Sequence, residues 1–217
     1  MSIDTGAGAT YRLDFTMMYA VHDAFRRDLA LLVAATDPRT GSLRAFKEGW
    51  ATFKYYLTIH HTAEDASLWP PIRRKAGSDP ERVALLDAME SEHAVLDPLM
   101  DSIDAQLAAG DTARLRETVE ELSTALLGHL DHEEVKGLPL IDAVLNEKEW
   151  DDFGEEQRNQ VGTKGAAQFF PWLLDGAADS TEEKVLGLVP PPIRFLYRKQ
   201  WRPRYLKRSP WGQISRA

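Results

Sequence analysis

The amino-acid sequence contains four long amphipathic stretches and no stretch of sustained apolar–polar alternation. Between residues 14 and 35, apolar residues such as Met17, Val21 and Phe25 recur at three- and four-residue steps, which is typical of one face of a helix. Proline or glycine separates the stretches, which predicts helices over residues 14–35, 42–68, 80–109 and 111–135. Four long helices with short links favour an all-α, up-down-up-down four-helix bundle.

The last third of the chain differs in composition from these stretches. Residues 150–217 hold four of the six tryptophans and ten of the twenty aromatic residues, which is not typical of a disordered tail. We therefore expect the bundle to span residues 12–145, and residues 146–217 to form a C-terminal helical extension that packs on it. Shorter helices are predicted at 147–160, 165–175 and 181–187, followed by a stiff polyproline joint at 190–192.

The charge of the 217-residue chain is unevenly distributed. A basic, aromatic tail begins at about residue 193, because residues 193–217 hold eight basic residues and no acid. The rest of the chain has 18 basic residues against 34 acidic ones, a net charge of −16 that argues against a general nucleic-acid binder. We expect the tail to dock on this acidic body, and binding to an anionic membrane surface or a nucleic acid is the alternative.

Several classes of protein are excluded by composition. The chain has no cysteine, which rules out disulfides, thiolate metal sites, iron–sulfur clusters and a cysteine nucleophile. Its apolar runs are far shorter than the roughly 18 residues of a membrane span. The first residues lack the basic and apolar regions of a signal peptide. We expect a cytoplasmic protein with no nucleic-acid partner, and the sequence makes no prediction about its oligomeric state.

All six histidines lie in the predicted bundle helices: His22, His60, His61, His93, His129 and His132. His60 is followed four residues later by Glu64, and His129 by Glu133. A four-residue step places both members of a pair on one helical face. The first and third helices contribute one histidine each, so the chain reads H, HxxxE, H, HxxxE. This repeat predicts two helical hairpins related by an approximate two-fold axis.

The residue types in this repeat indicate a metal site. Imidazole and carboxylate groups without thiolate suit iron, manganese or zinc. A carboxylate can bridge two ions inside a bundle while imidazoles occupy the outer positions. Each ion would then have two imidazoles and share two carboxylates, which leaves positions for oxygen, peroxide, nitric oxide or water. Ferritin-type sites use glutamate and histidine three residues apart and more carboxylates, so this chain differs from that class.

The segments around the two pairs, HHTAEDASLWP and HLDHEEVKGLP, resemble the HHE cation-binding motif of the hemerythrin family. The resemblance covers about residues 12–145. It implies two iron ions that cycle between Fe²⁺ and Fe³⁺ and are joined by an oxo or hydroxo bridge. The implied metal ligands are His22 and His60 for one iron, His93 and His129 for the other, and Glu64 and Glu133 as bridges to both.

Two departures distinguish the chain from the oxygen-carrying members of that family. Those proteins have a second histidine four residues from the one on the third helix, where this chain has Met89 and Asp97. They also have a longer histidine-to-aspartate step on the fourth helix. The pattern is closer to bacterial hemerythrin-like proteins of the actinobacterial type. It implies redox chemistry on small oxygen species, with catalase-like peroxide disproportionation as the leading activity and peroxide, oxygen or nitric oxide as the ligand.

Two other functions remain open from the sequence. The first is non-catalytic binding or sensing of oxygen, nitric oxide or iron, and the second is a structural zinc site. Three further residues are candidates for the site. His61, about 100° around the helix from His60, is a seventh ligand or an interface residue, and His132 is a weaker candidate. Tyr56, one turn before His60, is a candidate catalytic residue that hydrogen-bonds peroxide or relays a radical, or else a packed aromatic.

Overall fold

The structure, a computed structural model, describes residues 11–209 and 211, without the side chains at 163 and 164. This part of the chain is helical and has no strand, which confirms the all-α prediction. The helices are α1 (Thr16–Ala35), α2 (Leu43–Ala63), α3 (Trp69–Ala76), α4 (Pro80–Ala109), α5 (Leu115–His132), α6 (Leu138–Val144), α7 (Glu147–Leu173), α8 (Asp179–Gly187), α9 (Pro191–Leu196) and α10 (Arg202–Leu206). Wider π-helical turns join some of them: the first is Glu64–Leu68, the second Glu133–Gly137 and the third Tyr197–Trp201.

Four of the helices contribute most residues of the main hydrophobic cluster. α1 packs on α2 and α5, α5 packs on α4, and α2 contacts α4. Phe25, Phe53 and Leu122 are fully buried members of this cluster. Complete burial of one such side chain stabilises the fold by about 1.5–3 kcal/mol. A second cluster, which includes Trp69 and Ile72, lies around the first two π-helical turns.

The candidate histidines lie between the two clusters. Along the chain, α1 and α4 contribute first to the second cluster and then to the main cluster, whereas α2 and the segment α5–α6 contribute in the opposite order. The residues in chain order are Met18 then Phe25 in α1, Leu57 then Ala63 in α2, Met89 then Leu96 in α4, and Leu126 in α5 then Leu138 in α6. In every case a histidine stands between the two apolar residues. Apolar side chains therefore cover this polar layer from both sides.

Two prolines shape the helices next to the histidines. Pro70 and Pro139 have no N–H, and each ring would clash with the carbonyl of the residue four positions earlier in an ordinary helix. The backbone widens instead, so that the N–H of Trp69 donates to the carbonyl of Glu64, and that of Leu138 to Glu133. The prediction that proline ends the second and fourth helices was therefore wrong. Both continue through a π-helical turn, as α3 and α6.

Residues after 146 form helices that contact the first part of the chain. α7 lies against α2 and the first π-helical turn, and α8 lies against α1. α7 changes direction at Gly162, whose φ of 71° and ψ of 163° favour glycine, and the sequence predicts separate helices on either side of this point. The prediction of a stiff polyproline joint at 190–192 was wrong. Pro191 and Pro192 instead form the first turn of α9, a position that proline favours.

Aromatic side chains anchor these later helices. Trp172 is only 1 % exposed and belongs to the main hydrophobic cluster. Trp211 lies against α2 at Gly49, where a Cβ would come within 1.9 Å of the indole ring. In the basic tail Tyr197 is buried, whereas Arg198 and Lys199 are exposed. None of the helices within residues 11–209 has the length and apolar character needed to cross a bilayer.

Candidate metal centre

The polar layer contains two overlapping groups of side chains whose ligand atoms lie within 4.8 Å of one another. The first group is His22, His60, Glu64 and Glu133, and the second is His61, Glu64, His93 and His129. No member is more than 8 % exposed. Glu64 belongs to both groups, so one carboxylate lies between two sets of imidazoles.

All six residues that the resemblance implies as ligands are brought together in these groups. Glu133 lies in the first group only, with its Oε2 3.2 Å from Nε2 of His22. His61 joins the second group, and its ring stacks on that of His93 with 4.1 Å between centroids. His132 belongs to neither group, and its Nδ1 lies 2.7 Å from Oε1 of Glu92.

Tyr56 packs against aromatic side chains next to the polar layer. Its ring stacks on Trp172 at 4.2 Å between centroids, and it meets Phe169 edge-on at 5.5 Å. Burial raises the pKa of Tyr56 well above its usual range, so the phenol stays protonated. These contacts place the ring in the packed layer between α2 and α7.

Carboxylates outside the two groups orient several of the imidazoles. Nδ1 of His22 lies 2.8 Å from Oε1 of Glu134, and Nδ1 of His93 lies 3.1 Å from Oδ1 of Asp65. Nδ1 of His129 lies 2.9 Å from Oε2 of Glu92. A carboxylate only accepts, so each of these rings carries its proton on Nδ1 and directs Nε2 into the site.

The Nε2 atoms of His93 and His129 are only 3.1 Å apart. Burial lowers the pKa of His129, which keeps that ring neutral. Because both rings donate through Nδ1, two lone pairs face each other across this gap when both are neutral. Such an arrangement is unfavourable unless a cation lies between the two nitrogens.

The buried carboxylates lack hydrogen-bond donors among the described residues. Both oxygens of Glu64, both oxygens of Glu133, and Nε2 of His61 have no hydrogen-bond partner. Oε1 of Glu64 is 3.0 Å from Nε2 of His60, but the two groups are not aligned as a hydrogen bond requires. Unsatisfied buried carboxylates are costly, and metal ions satisfy them without further donors. Residues of these types in this arrangement fit metal binding.

The electrostatics of the two glutamates differ. Burial raises the pKa of Glu64 well above its usual range, and the nearby Glu133 carboxylate adds to this effect. Burial also acts to raise the pKa of Glu133, but the adjacent, positively charged ring of His22 outweighs it and lowers the pKa to about 2. Burial acts to lower the pKa of His22, yet Glu133 and Glu134 raise it to about 9. Without metal, a proton therefore neutralises Glu64, whereas a proton on His22 makes that ring positive and balances the charge of Glu133.

The second π-helical turn also makes room for its glutamate. A Cβ at Gly137 would lie 2.9 Å from Cγ of Glu133, so glycine leaves the space that this side chain occupies. Glu64 and Glu133 are each the first residue of a π-helical turn. The two motif glutamates thus have the same local backbone environment.

Four residues that contact the histidines were not identified as functional from the sequence: Asp65, Glu92, Glu134 and Gln157. Asp65 and Glu134 directly follow the two motif glutamates, so an acidic residue recurs at the same position of both HxxxE segments. This recurrence could have identified both residues from the sequence. Glu92 directly precedes His93. Gln157 lies on α7 and is separated from His60 by 97 residues, so no local spacing indicates it.

The described residues thus form a helical protein with a buried cluster of imidazoles and carboxylates that can hold metal ions. The family model for the hemerythrin HHE cation-binding domain matches residues 14–141. The chain belongs to this family, and the resemblance of its two HHE-like segments is confirmed. A search of curated proteins and a search of solved structures found no significant match.

Proposed function

We propose that this protein is a non-haem di-iron protein that acts on small oxygen species, with peroxide disproportionation as its leading activity. The observation that carries the proposal is the position of Glu64. Its carboxylate is fully buried, belongs to both groups of candidate ligands, and has no hydrogen-bond partner among the described residues. A carboxylate shared between two ions accounts for all three properties.

The proposed ligands follow the two groups. One iron would be held by His22 and His60, and the other by His93 and His129, with His61 as a further ligand of the second. His61 is supported by its unpartnered, buried Nε2. Glu64 and Glu133 are proposed as bridges, and the shared position supports Glu64 more strongly. Two iron ions would supply one-electron steps between Fe²⁺ and Fe³⁺ and open positions for a small ligand.

The proposed domain arrangement places this centre inside an up-down-up-down bundle of α1, α2, α4 and α5, within residues 12–145. The alternating order in which these helices meet the two apolar clusters supports the directions of the helices. Residues 146–217 are proposed as an extension that packs on the bundle. Contacts of α7 with α2 and of α8 with α1 support this arrangement.

The protein side chains would have three roles in the chemistry. The carboxylates of Glu134, Asp65 and Glu92 hold imidazole protons at Nδ1 and keep Nε2 directed inward. Apolar residues on both sides exclude bulk water, which strengthens the interactions of the charged groups. Glu64 and His22 hold protons in the metal-free protein and release them when ions bind.

Oxygen evolution from hydrogen peroxide tests the activity. Iron-loaded protein, freed of unbound iron, should evolve oxygen, and His60→Ala should abolish this activity. His132→Ala is the matched control, because His132 lies outside both groups. Tyr56→Phe keeps the stacked ring, so a loss of rate would assign a role to the hydroxyl.

The alternative function is non-catalytic binding or sensing. If the wild-type protein holds iron but evolves no more oxygen than His60→Ala, the peroxide proposal is wrong. Binding of oxygen or nitric oxide to the reduced protein, followed by optical spectroscopy, would then support the alternative.

A further inference from the structure

The four histidines of the H, HxxxE, H, HxxxE repeat do not have equivalent hydrogen-bond partners. These histidines are His22, His60, His93 and His129. Three of them contact a carboxylate through Nδ1: His22 contacts Glu134, His93 contacts Asp65, and His129 contacts Glu92. The approximate two-fold repeat pairs His22 with His93 and His60 with His129. Asp65 and Glu134 are then equivalent, because each follows a motif glutamate.

The fourth carboxylate is missing from the repeat. Glu92 directly precedes His93, and the equivalent residue before His22 is Val21. Valine has no group that could contact His60 as Glu92 contacts His129. The place is taken by a residue of α7: the side-chain amide nitrogen of Gln157 lies 3.2 Å from Nδ1 of His60. The later part of the chain therefore supplies the partner that the repeat lacks.

An amide differs from a carboxylate in what it can offer to a histidine. A carboxylate accepts only, and it holds the imidazole proton on Nδ1. In this structure the amide nitrogen of Gln157 faces Nδ1, an arrangement that suits a neutral His60 with its proton on Nε2. A turned amide would present its oxygen and accept from Nδ1–H instead.

We infer that Gln157 is a positioning residue for His60: its side-chain amide contacts Nδ1 and can pair with either tautomer of the ring, through its nitrogen with the Nε2–H form and through its oxygen with the Nδ1–H form that binds a metal ion. This inference rests on the proposed function, since it takes His60 as a ligand. It makes the C-terminal extension part of the metal centre.

Two measurements on two variants test the inference. Gln157→Glu offers only acceptors and should place the proton of His60 on Nδ1, which ¹⁵N NMR of the metal-free protein reads from the two ring nitrogens. Gln157→Leu removes the polar partner and should weaken Zn²⁺ binding at the first group by about 10–100-fold, the usual effect of losing such a contact. Gln157→Glu should restore or exceed the wild-type affinity. Gln160→Leu, one turn along α7, is the matched control.

Each outcome distinguishes this inference from the proposed function. An unchanged His60 tautomer in Gln157→Glu, or Zn²⁺ affinities of Gln157→Leu within about twofold of wild type, would overturn the role of Gln157 and leave the di-metal proposal standing. Failure of the wild-type protein to bind Zn²⁺ or Fe²⁺ at all would instead overturn the proposed function. If Gln157→Leu is unstable, the similarly sized Gln157→Glu still decides the question through its NMR spectrum.

Discussion

Replacing Trp172 with phenylalanine tests whether the C-terminal helices belong to the same folded unit as the centre. The indole N–H donates to Oδ2 of Asp28 at 2.7 Å, and both residues are only 1 % exposed. Phenylalanine preserves much of the stacking on Tyr56 but leaves that oxygen without its donor. Loss of a buried hydrogen bond to a charged group costs about 1.5–3 kcal/mol, and we expect the free energy of unfolding to fall by this amount.

Trp50 provides a matched comparison within the same protein. Its indole N–H also donates to a carboxylate at 2.7 Å, but that acceptor, Asp104, is 46 % exposed and also contacts Lys54. Water can replace the lost donor there, so Trp50→Phe should cost about 1 kcal/mol or less through this bond. Urea unfolding at constant metal content measures both values. If Trp172→Phe costs no more than Trp50→Phe, the docking of α7 does not contribute as we argue.

Three further predictions concern the metal centre. Removing the metal should lower the melting temperature, because binding energy is coupled to folding, and identical melting curves for the two forms would contradict a buried cluster. The affinity for Zn²⁺ should rise by at least about tenfold per pH unit between about 6.5 and 9, because the ion displaces the proton that His22 holds with a pKa of about 9, and displacement of the Glu64 proton steepens this dependence; a flat profile in equilibrium competition with a chelator would contradict this. In the metal-free protein, the raised pKa of His22 stabilises the fold fully below about pH 6.5, and this stabilisation is lost as the pH rises through about 9. The difference in free energy of unfolding between wild type and His22→Ala, measured in urea at several pH values, should therefore be smaller at the higher pH.

Sequence patterns located much of the fold because the relevant signals are local. The three- and four-residue apolar steps and the HxxxE spacing depend on residues within one or two helical turns. The rule that proline ends a helix failed at Pro70 and Pro139. A missing N–H can also be accommodated by a wider turn, and the local sequence rule does not distinguish the two outcomes.

The partners of the histidines were harder to predict, for a different reason. Asp65 and Glu134 repeat with the motif and could have been found from the sequence. Gln157 could not, because its contact with His60 requires α7 to fold back across α2. Contacts between residues far apart in the chain depend on how helices dock, and residue spacing carries no information about docking.

The most direct test of the di-metal account is the iron content of purified wild-type, Glu64→Ala and His132→Ala proteins, each measured together with its optical spectrum. We predict about two irons per chain in the wild type and in His132→Ala. Glu64→Ala should lose both ions together, because its carboxylate is shared between the two groups. A Glu64→Ala protein that is folded and retains one tightly bound iron would contradict a shared carboxylate at the centre.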